Sequence, residues 1–589
     1  MSYETEAARI GGEPVTLVEL DFDTCALTYG QAPCTASGAA GSECYNTFQT
    51  CQDVQNFDMG QISLCFWPVD VCPVLGVKAY SCLRSVKVTP TRIEPDRGLG
   101  VRGTVTVELQ DFTDSDRGVD PYIATRTHDT ARGTFFGKFR ARNSQSLYGR
   151  RIRIRRGFLD PVDRSVKPEN FIESLYIVED FEGPDARGRI KIKGVDPLKR
   201  MNDALAPETT TAELDADIDA VVTQMRVVDP DGQMNAPDGT VRIGSELIMY
   251  SSVTPESGTD VVVLGSLTRG AFGSEASEHS AEDAVQSCLV YAAQKPVDVL
   301  VDLVDRVQGL SQFVNASEWE DEQDLWIPST TISNVISKPT KVRDLVSDIT
   351  QQTGLFVWFD DRGQKVQLRV IAPPQDNETP VRIDDFGGLI AGSFKLKEDL
   401  KEQVTRVFIY YGRNNLTEKG EPKHYRNVRI TVAFDAESVN AFDREKPLEI
   451  FADWLDDPEV AERLGYFILS RFETGNRQFT FEVDQKEAGV WAGDLITLDT
   501  QFLQSVSGAN APETVRVVSV DADTTGVLKF EAIRSVFQTG ANPDDRIAIW
   551  QGDEVSAHYD NATIEERQRG FYADDAGEVV PGVPAYKYF

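Results

Sequence analysis

"GRRIRIRRGFLDP" (149–161) decides the fold class. Strict alternation puts Arg151, Arg153 and Arg155 on one face of a strand and Ile152 and Ile154 on the other, the period of a chain half-buried in a sheet. The arginine face has two readings: an ordinary solvated strand face, or a contact with acidic neighbours on another subunit, where the planar guanidinium fork suits carboxylates. Outward from this stretch the same signal recurs. "RGTVTVELQDF" (102–112), "GRIKIKGVD" (188–196), "KVQLRVIAP" (365–373) and "ETVRVVSVDADTTGVLKFEAI" (513–533) are short β-branched and aromatic runs cut by Gly, Asp and Pro. "DGTVRIGSELIMYSSVTPESGTDVVVLGSLTRG" (238–270) reads as several strands, broken at Gly244 and closed by Thr268-Arg269-Gly270. The expectation is a mainly β, largely antiparallel protein with α+β parts.

Two helices stand out. In "PTKVRDLVSDITQQTG" (339–354), Thr340 is the expected cap, Val342, Leu345, Val346 and Ile349 form one apolar face, and Gly354 suits a left-handed end. A strand, a turn at Asp360-Asp361-Arg362-Gly363 and a return strand follow. In "DDPEVAERLGYFILSRFETG" (456–475), Asp457 caps, Pro458 takes the first helical position, and Val460, Leu464, Phe467 and Ile468 share a face. No repeat of 20 to 50 residues is visible.

The 589 residues predict several domains, and 41% hydrophobic content is enough for each to bury a core. The amino terminus lacks a basic region followed by an apolar stretch, and no run approaches a membrane span; the expectation is a soluble protein made in a bacterial cytoplasm. Sixty basic against 94 acidic residues leave a net charge of −34, so phosphate backbones are repelled on average. That charge reads either as plain solubility or as an acidic lumen past which DNA slides without sticking.

Residues 25–51 hold four cysteines, Cys25, Cys34, Cys44 and Cys51, with no Lys, Arg or His among them. Eight residues separate the first pair and six the second, neither being the two-residue spacing of zinc ribbons. A chain of this size has no need of covalent staples to hold a core. Three chemistries remain open on the residues alone: late-formed disulfides, a zinc site, or an iron–sulfur cluster, whose bulky core tolerates wide spacing in a loop rich in small residues such as Thr35-Ala36-Ser37-Gly38. Cys65, Cys72 and Cys82 are further candidates, and Cys288, distant in sequence, reads as a buried apolar residue.

The cysteine arrangement resembles the iron–sulfur domain of tail-tip proteins of lambda-like siphophages, which share the eight- and six-residue separations in "CALTYGQAPC" and "CYNTFQTC". The same phrase is similar to the amino-terminal region of hub proteins of gene transfer agents and related marine siphophages. "GRRIRIRRGFLDP" with "GRIKIKGVDPLKRMND", "VRIGSELIMYSSV" with "LTRGAFGSEASEHSAEDAVQSC", and "LSRFETGNRQFTFEVD" with "WAGDLITL" extend the likeness over most of residues 15–540. The resemblance implies a [4Fe-4S] cluster on Cys25, Cys34, Cys44 and Cys51 and two hub-type β-barrels. It further implies a homotrimeric baseplate hub at the distal end of the virion's tail. Its partners would be the distal tail protein, the carboxyl terminus of the tape measure protein and a central fibre or tip protein, with DNA only in transit and no membrane span. The domains expected are 1–88 (cysteine-rich region and barrel start), 89–230 (first hub barrel), 231–300 (β-rich insertion), 301–375 (small α/β domain), 376–540 (second hub barrel with helix) and 541–589 (an extended carboxyl-terminal arm).

The competing expectation is a secreted β-rich glycan-binding protein or hydrolase with amino-terminal disulfides. His128, His279, His424 and His558 lie in no metal or triad phrase, and "RGLGVRG" (97–103) lacks the Lys-Ser/Thr ending of a phosphate loop, so no catalytic set is expected.

Overall fold

The computed structural model describes residues 3–7, 13–36, 44, 46–68, 79–94, 98–113, 134–143, 147–371, 380–399, 403–416, 419–432, 446–472, 476–484, 489–505, 507–522, 527–535, 578–580 and 583–584. The protein is mainly β and multidomain. Seven strands close a barrel: β1 (Pro14–Cys25), β2 (Met59–Pro68), β3 (Ala79–Thr89), β4 (Thr104–Gln110), β5 (Arg151–Phe158), β6 (Phe171–Glu182) and β7 (Arg189–Val195). The order is β1-β2-β3-β4-β7-β6-β5, with β1 pairing antiparallel to both β2 and β5 and so removing the free edges.

The alternation in β5 sets its register. Ile152 stands opposite Leu20 and Ile154 opposite Val18, and all four point into a core with Val105, Val107, Ile190 and Ile192. A one-residue slip would turn every one of them outward. The arginines take the other face. Arg153 bonds Asp21 at 2.5 Å and meets Glu19 at 3.2 Å; Arg155 reaches Glu19 at 2.8 Å and Glu173 at 2.7 Å; Arg150 reaches Asp23 at 2.5 Å. The carboxylates that Arg153 and Arg155 meet come from the neighbouring strands β1 and β6 of the same barrel, so this face is paired within the chain and not simply solvated. A helix that sequence patterning missed, Phe135–Asn143, sets Phe135, Phe136 and Phe139 into the barrel core, Phe139 edge-on to Phe22 at 5.2 Å. The barrel is thus filled with side chains.

Residues 213–287 form a separate β module of a four-stranded and a three-stranded sheet around Met225, Val227, Val241, Ile243, Ile248, Leu264 and Val285. Its first strands, Glu213–Leu214 and Gln224–Val228, contribute to this core, although the sequence reading grouped them with the barrel. Gly244, at φ 58°, makes the turn between Gly239–Ile243 and Glu246–Tyr250.

The largest core joins the helices Pro296–Asp305, Ala316–Trp326 and Val342–Thr353 to the hairpin Leu355–Asp360/Lys365–Val370 and to the sheet Arg406–Arg413, Tyr425–Val432, Pro447–Ala452 with its helix Pro458–Phe472. Both expected helices form. The first buries Val342, Leu345, Val346 and Ile349 and ends at Gly354 with φ 75°. Its expected cap does not form: Thr340 Oγ1 donates instead to the Lys338 carbonyl at 2.9 Å, and the helix starts one residue later than a Thr340 cap requires. The second is capped as expected, Asp457 Oδ1 accepting from the Glu459 amide at 2.8 Å. Asp457→Ala is expected to lower stability by about 1 kcal/mol in denaturant unfolding, the usual cost of losing such a cap.

A six-stranded sheet follows, in the order Val381–Asp384, Leu495–Asp499, Glu513–Ala522, Val527–Arg534, Asn476–Asp484, Lys395–Asp399. Among the described residues its two end strands are not bonded to each other. Its core includes Phe158 of β5 and Tyr3, so this sheet packs against the barrel. The carboxyl-terminal arm lies outside the described residues apart from the short pair Glu578–Val580 and Val583–Pro584. Among the described residues no helix is long and apolar enough to cross a membrane.

Candidate metal centre

The cysteine cluster is an excursion from one hairpin of the barrel. Cys25 is the last residue of β1 and stands opposite Met59, the first of β2. The chain from 26 to 58 leaves and returns at that end, carrying Cys34, Cys44 and Cys51. Two backbone bonds fasten its base: the Cys25 amide to the Asn46 carbonyl at 2.8 Å and the Ala26 amide to the Asp58 carbonyl at 2.7 Å. Cys25 and Cys44 share a small buried cluster with Tyr29, whose hydroxyl donates to Gln52 Oε1 at 3.1 Å.

Cys34 and Cys51 are brought together by Asp53. Its Oδ2 accepts from the Thr35 amide at 2.7 Å and the Thr35 hydroxyl at 2.9 Å, and Asn56 Nδ2 donates to the same oxygen at 2.9 Å. The Thr35 amide, then the Asn56 and Thr35 side chains, hold the Asp53 carboxyl below the usual range. The Asp53 amide in turn points at Cys51 Sγ, 3.4 Å away. Burial raises the Cys51 thiol, the Asp53 amide opposes that, and the nearby Cys25 and Cys34 sulfurs push it further up. The Cys25 and Cys34 sulfurs thus lie near enough to Cys51 to oppose its ionisation.

None of the seven described cysteines is in a disulfide. Among the described residues no group of three or more His, Cys, Asp or Glu side chains is gathered tightly enough to hold a metal ion. A lone ion at ~2.3 Å from each thiolate needs such a gathering.

Two of the additional candidates lie elsewhere. Cys65 sits on β2 opposite Glu19, six positions from the Cys25–Met59 pair, or roughly 20 Å along the strand. Cys82 is in the barrel core. Burial pushes both thiols up to about 12. Cys72 lies outside the described residues. Cys288, also raised to about 12 by burial, packs beside Leu247, Ala271 and Val335.

A second polar centre escaped the sequence reading. Glu246 is fully buried; its Oε1 accepts from Arg269 Nε at 2.7 Å and the Gly270 amide at 3.0 Å, and its Oε2 from Arg269 Nη2 at 2.8 Å and the Ser277 amide at 3.1 Å. His279 Nε2 lies 2.8 Å from Oε2 and 3.3 Å from Ser277 Oγ. Serine, histidine and carboxylate here do not make a proton relay, because both contacts fall on one ring nitrogen, whereas a relay uses two. Burial raises the Glu246 carboxyl, but Arg269, the Ser277 amide, His279 and the Gly270 amide outweigh it and hold it at about 2. His424 is in the turn Pro422–His424, and His128 and His558 lie outside the described residues.

Fold and site together define a multidomain β protein with a thiol-bearing loop on one end of a closed barrel. No family model and no curated protein matches the chain. Among solved structures it is similar to the 43 kDa tail protein of prophage MuSo2 from Shewanella oneidensis, at 9% identity and TM-score 0.37, covering 77% of this chain and 98% of that one. A tail protein from Neisseria meningitidis MC58 gives 8% and 0.36, covering 76% and 97%. Prophage tail protein gp18 from Listeria monocytogenes EGD-e gives 9% and 0.28, covering 65% and 84%. Likeness this distant carries no functional weight.

Proposed function

We propose that this chain is a structural virion protein, a trimeric hub closing the distal end of a siphophage tail, with a [4Fe-4S] cluster held by Cys25, Cys34, Cys44 and Cys51. The observation that carries it is the pair of cysteine separations, eight and six residues, on a single loop that springs from a barrel hairpin. Barrel and six-stranded sheet supply two β domains per chain, so three chains would offer six to the tail tube above. The distal tail protein, the end of the tape measure protein and a central fibre or tip protein are the partners of such a hub.

In this reading the cluster cross-links the loop. A 33-residue excursion with few large apolar residues is costly to order by packing alone, and four bonds to one inorganic core fix it. Asp53 and Tyr29 hold the sulfur-bearing segments in place around it. The acidic surface serves passage of DNA, which like charge keeps from adhering.

Protein purified without oxygen is expected to be brown, with about four iron and four sulfide per chain. Colourless protein carrying zinc, or with Cys25, Cys34, Cys44 and Cys51 paired as disulfides, would overturn the cluster. The hub reading is tested separately by imaging virions with a labelled chain: signal at the tail's distal end is expected, and a chain absent from particles would sink it.

A further inference from the structure

Of the arginines that open β5, Arg150, Arg153 and Arg155 meet carboxylates of β1 and β6, and Arg151 meets none among the described residues. Its Nη2 donates instead to an uncharged acceptor, Gln312 Oε1, at 3.0 Å. Gln312 lies in the turn Ser311–Phe313 that follows the helix Pro296–Asp305. Arg200, in the turn Pro197–Asn202 that leaves the barrel after β7, is tied to the same segment. Its Nη1 donates to the carbonyls of Gln308 at 3.1 Å and Gly309 at 3.0 Å, and Gln312 Nε2 donates to that Gly309 carbonyl at 2.7 Å. One glutamine side chain and one carbonyl therefore join the two guanidiniums.

Both are held in place. A Cβ at Gly309 would collide with Arg200 Nη1, and Gly149, two residues before Arg151, lies under Arg200 Nη2, which a Cβ there would meet at 3.9 Å. With Nη2 of Arg151 and Nη1 of Arg200 engaged, the other N–H groups of both forks have no partner among the described residues.

The pair lacks a counter-charge. Burial lowers the Arg200 pKa, and the neighbouring Arg151 lowers it further. A guanidinium nevertheless keeps its proton, so the repulsion is not relieved by neutralising one partner. Glu179 is taken by Lys199, the residue before Arg200, and Asp302 by Arg306. A second arginine pair shows the contrast. Burial and Arg343 lower Arg102, but Asp196 and Asp203 act on it in the opposite sense. Arg151 and Arg200, partly buried in a chain with 94 acidic residues, have no ion pair among the described residues.

We propose that Arg151 and Arg200 together receive the carboxylate of an aspartate or glutamate on a partner protein, bonded by the N–H groups that the barrel and the turn 308–312 leave free. Two forks on one carboxylate give charge-assisted bonds, and forks fixed beforehand lose little freedom on binding. Tyr148, 55% exposed beside Gly149, adds a ring to this surface, and tyrosine with arginine is a composition enriched in interface hot spots. A nucleic-acid backbone fits less well, since the net charge of −34 repels a polyanion, whereas a lone carboxylate brings one charge to two. This site stands apart from the cysteine loop and does not depend on the hub reading.

The test follows modification of individual arginines by phenylglyoxal in the full chain, read by peptide mass spectrometry. The probes are Ac-Ala-Glu-Ala-NH2, Ac-Ala-Gln-Ala-NH2 and inorganic phosphate. The glutamate peptide is expected to slow modification of Arg151 and Arg200 saturably, by about threefold or more, and to leave the exposed Arg187 unchanged; the glutamine peptide is expected to protect neither. Arg151→Gln is expected to weaken the protection of Arg200 about tenfold, because the carboxylate then meets a single charge. Arg151 bonds only Gln312 among the described residues, so this variant should melt with the wild type. Equal protection by the two peptides, stronger protection by phosphate than by the glutamate peptide, no protection at that peptide's solubility limit, or full protection of Arg200 in Arg151→Gln would each overturn the proposal.

Discussion

With the proposed cluster in place, Cys34→Ala is expected to leave the chain with less than about one iron instead of about four and to lose the cluster's visible absorbance, while the barrel melts as before. A cubane held by three thiolates has an open corner, and the loop around it has little packing to fall back on. The barrel does not share that dependence. Its core of Val18, Leu20, Ile152, Ile154 and their neighbours contains, among the described residues, none from the loop 26–58. Hydrogen exchange should therefore rise sharply in residues 26–58 and stay unchanged in β4 to β7. Cys65→Ala is the control: Cys65 lies roughly 20 Å up β2, and iron content should not move. Asp53→Ala should fall between them, since it leaves all four thiols but removes the bonds joining Thr35 to the Cys51 segment. Full iron content in Cys34→Ala would mean that the sulfur was wrongly assigned.

Much of this architecture is written in short-range pattern. Ile152 and Ile154 face the barrel core because period-two alternation has one solution once a face is buried, and Asp457-Pro458 begins a helix because cap and first-turn geometry are local. Where tertiary contacts decide, the pattern is silent. Phe135–Asn143 carries a weak apolar stripe, and its phenylalanines make sense only against a barrel interior built by residues far away in sequence. Thr340 shows the converse: a good capping residue turned its hydroxyl to Lys338 once the short pairing of Thr340–Lys341 with Leu205–Ala206 fixed the backbone. The cysteine spacing is readable as a linear motif, whereas the clasp by Asp53 depends on Thr35 and Cys51 meeting across a turn. Likewise, the partners of the arginine face were not legible in the sequence. Composition gave the acids as a global surplus, and only the register of β1 against β5 brings Glu19 and Asp21 opposite Arg153 and Arg155.

Glu246→Ala is expected to unfold the module of residues 213–287 by about 3–5 kcal/mol, the cost of stripping one partner from a buried ion pair. The carboxylate accepts from two nitrogens of Arg269, the Gly270 and Ser277 amides and His279, and these five contacts gather the segment 269–279 onto the strand Glu246–Tyr250. Alanine leaves the Arg269 guanidinium, with a 7% exposed side chain, without its counter-charge. Because the module has a core of its own, the loss should appear as a separate low-temperature transition in calorimetry, with the barrel's transition in place. Acid gives an independent check. The folded Glu246 carboxyl titrates at about 2 against an ordinary 4.5, so its contribution is complete above pH ~4.5 and is lost as pH falls toward 2, amounting to roughly 3 kcal/mol. The wild-type module should therefore lose stability steeply over that window, and the alanine variant, already without the charge, should show a flatter acid limb there. A variant whose module melts at the wild-type temperature would mean that the five contacts contribute no more than the desolvation they offset, as some buried ion pairs do.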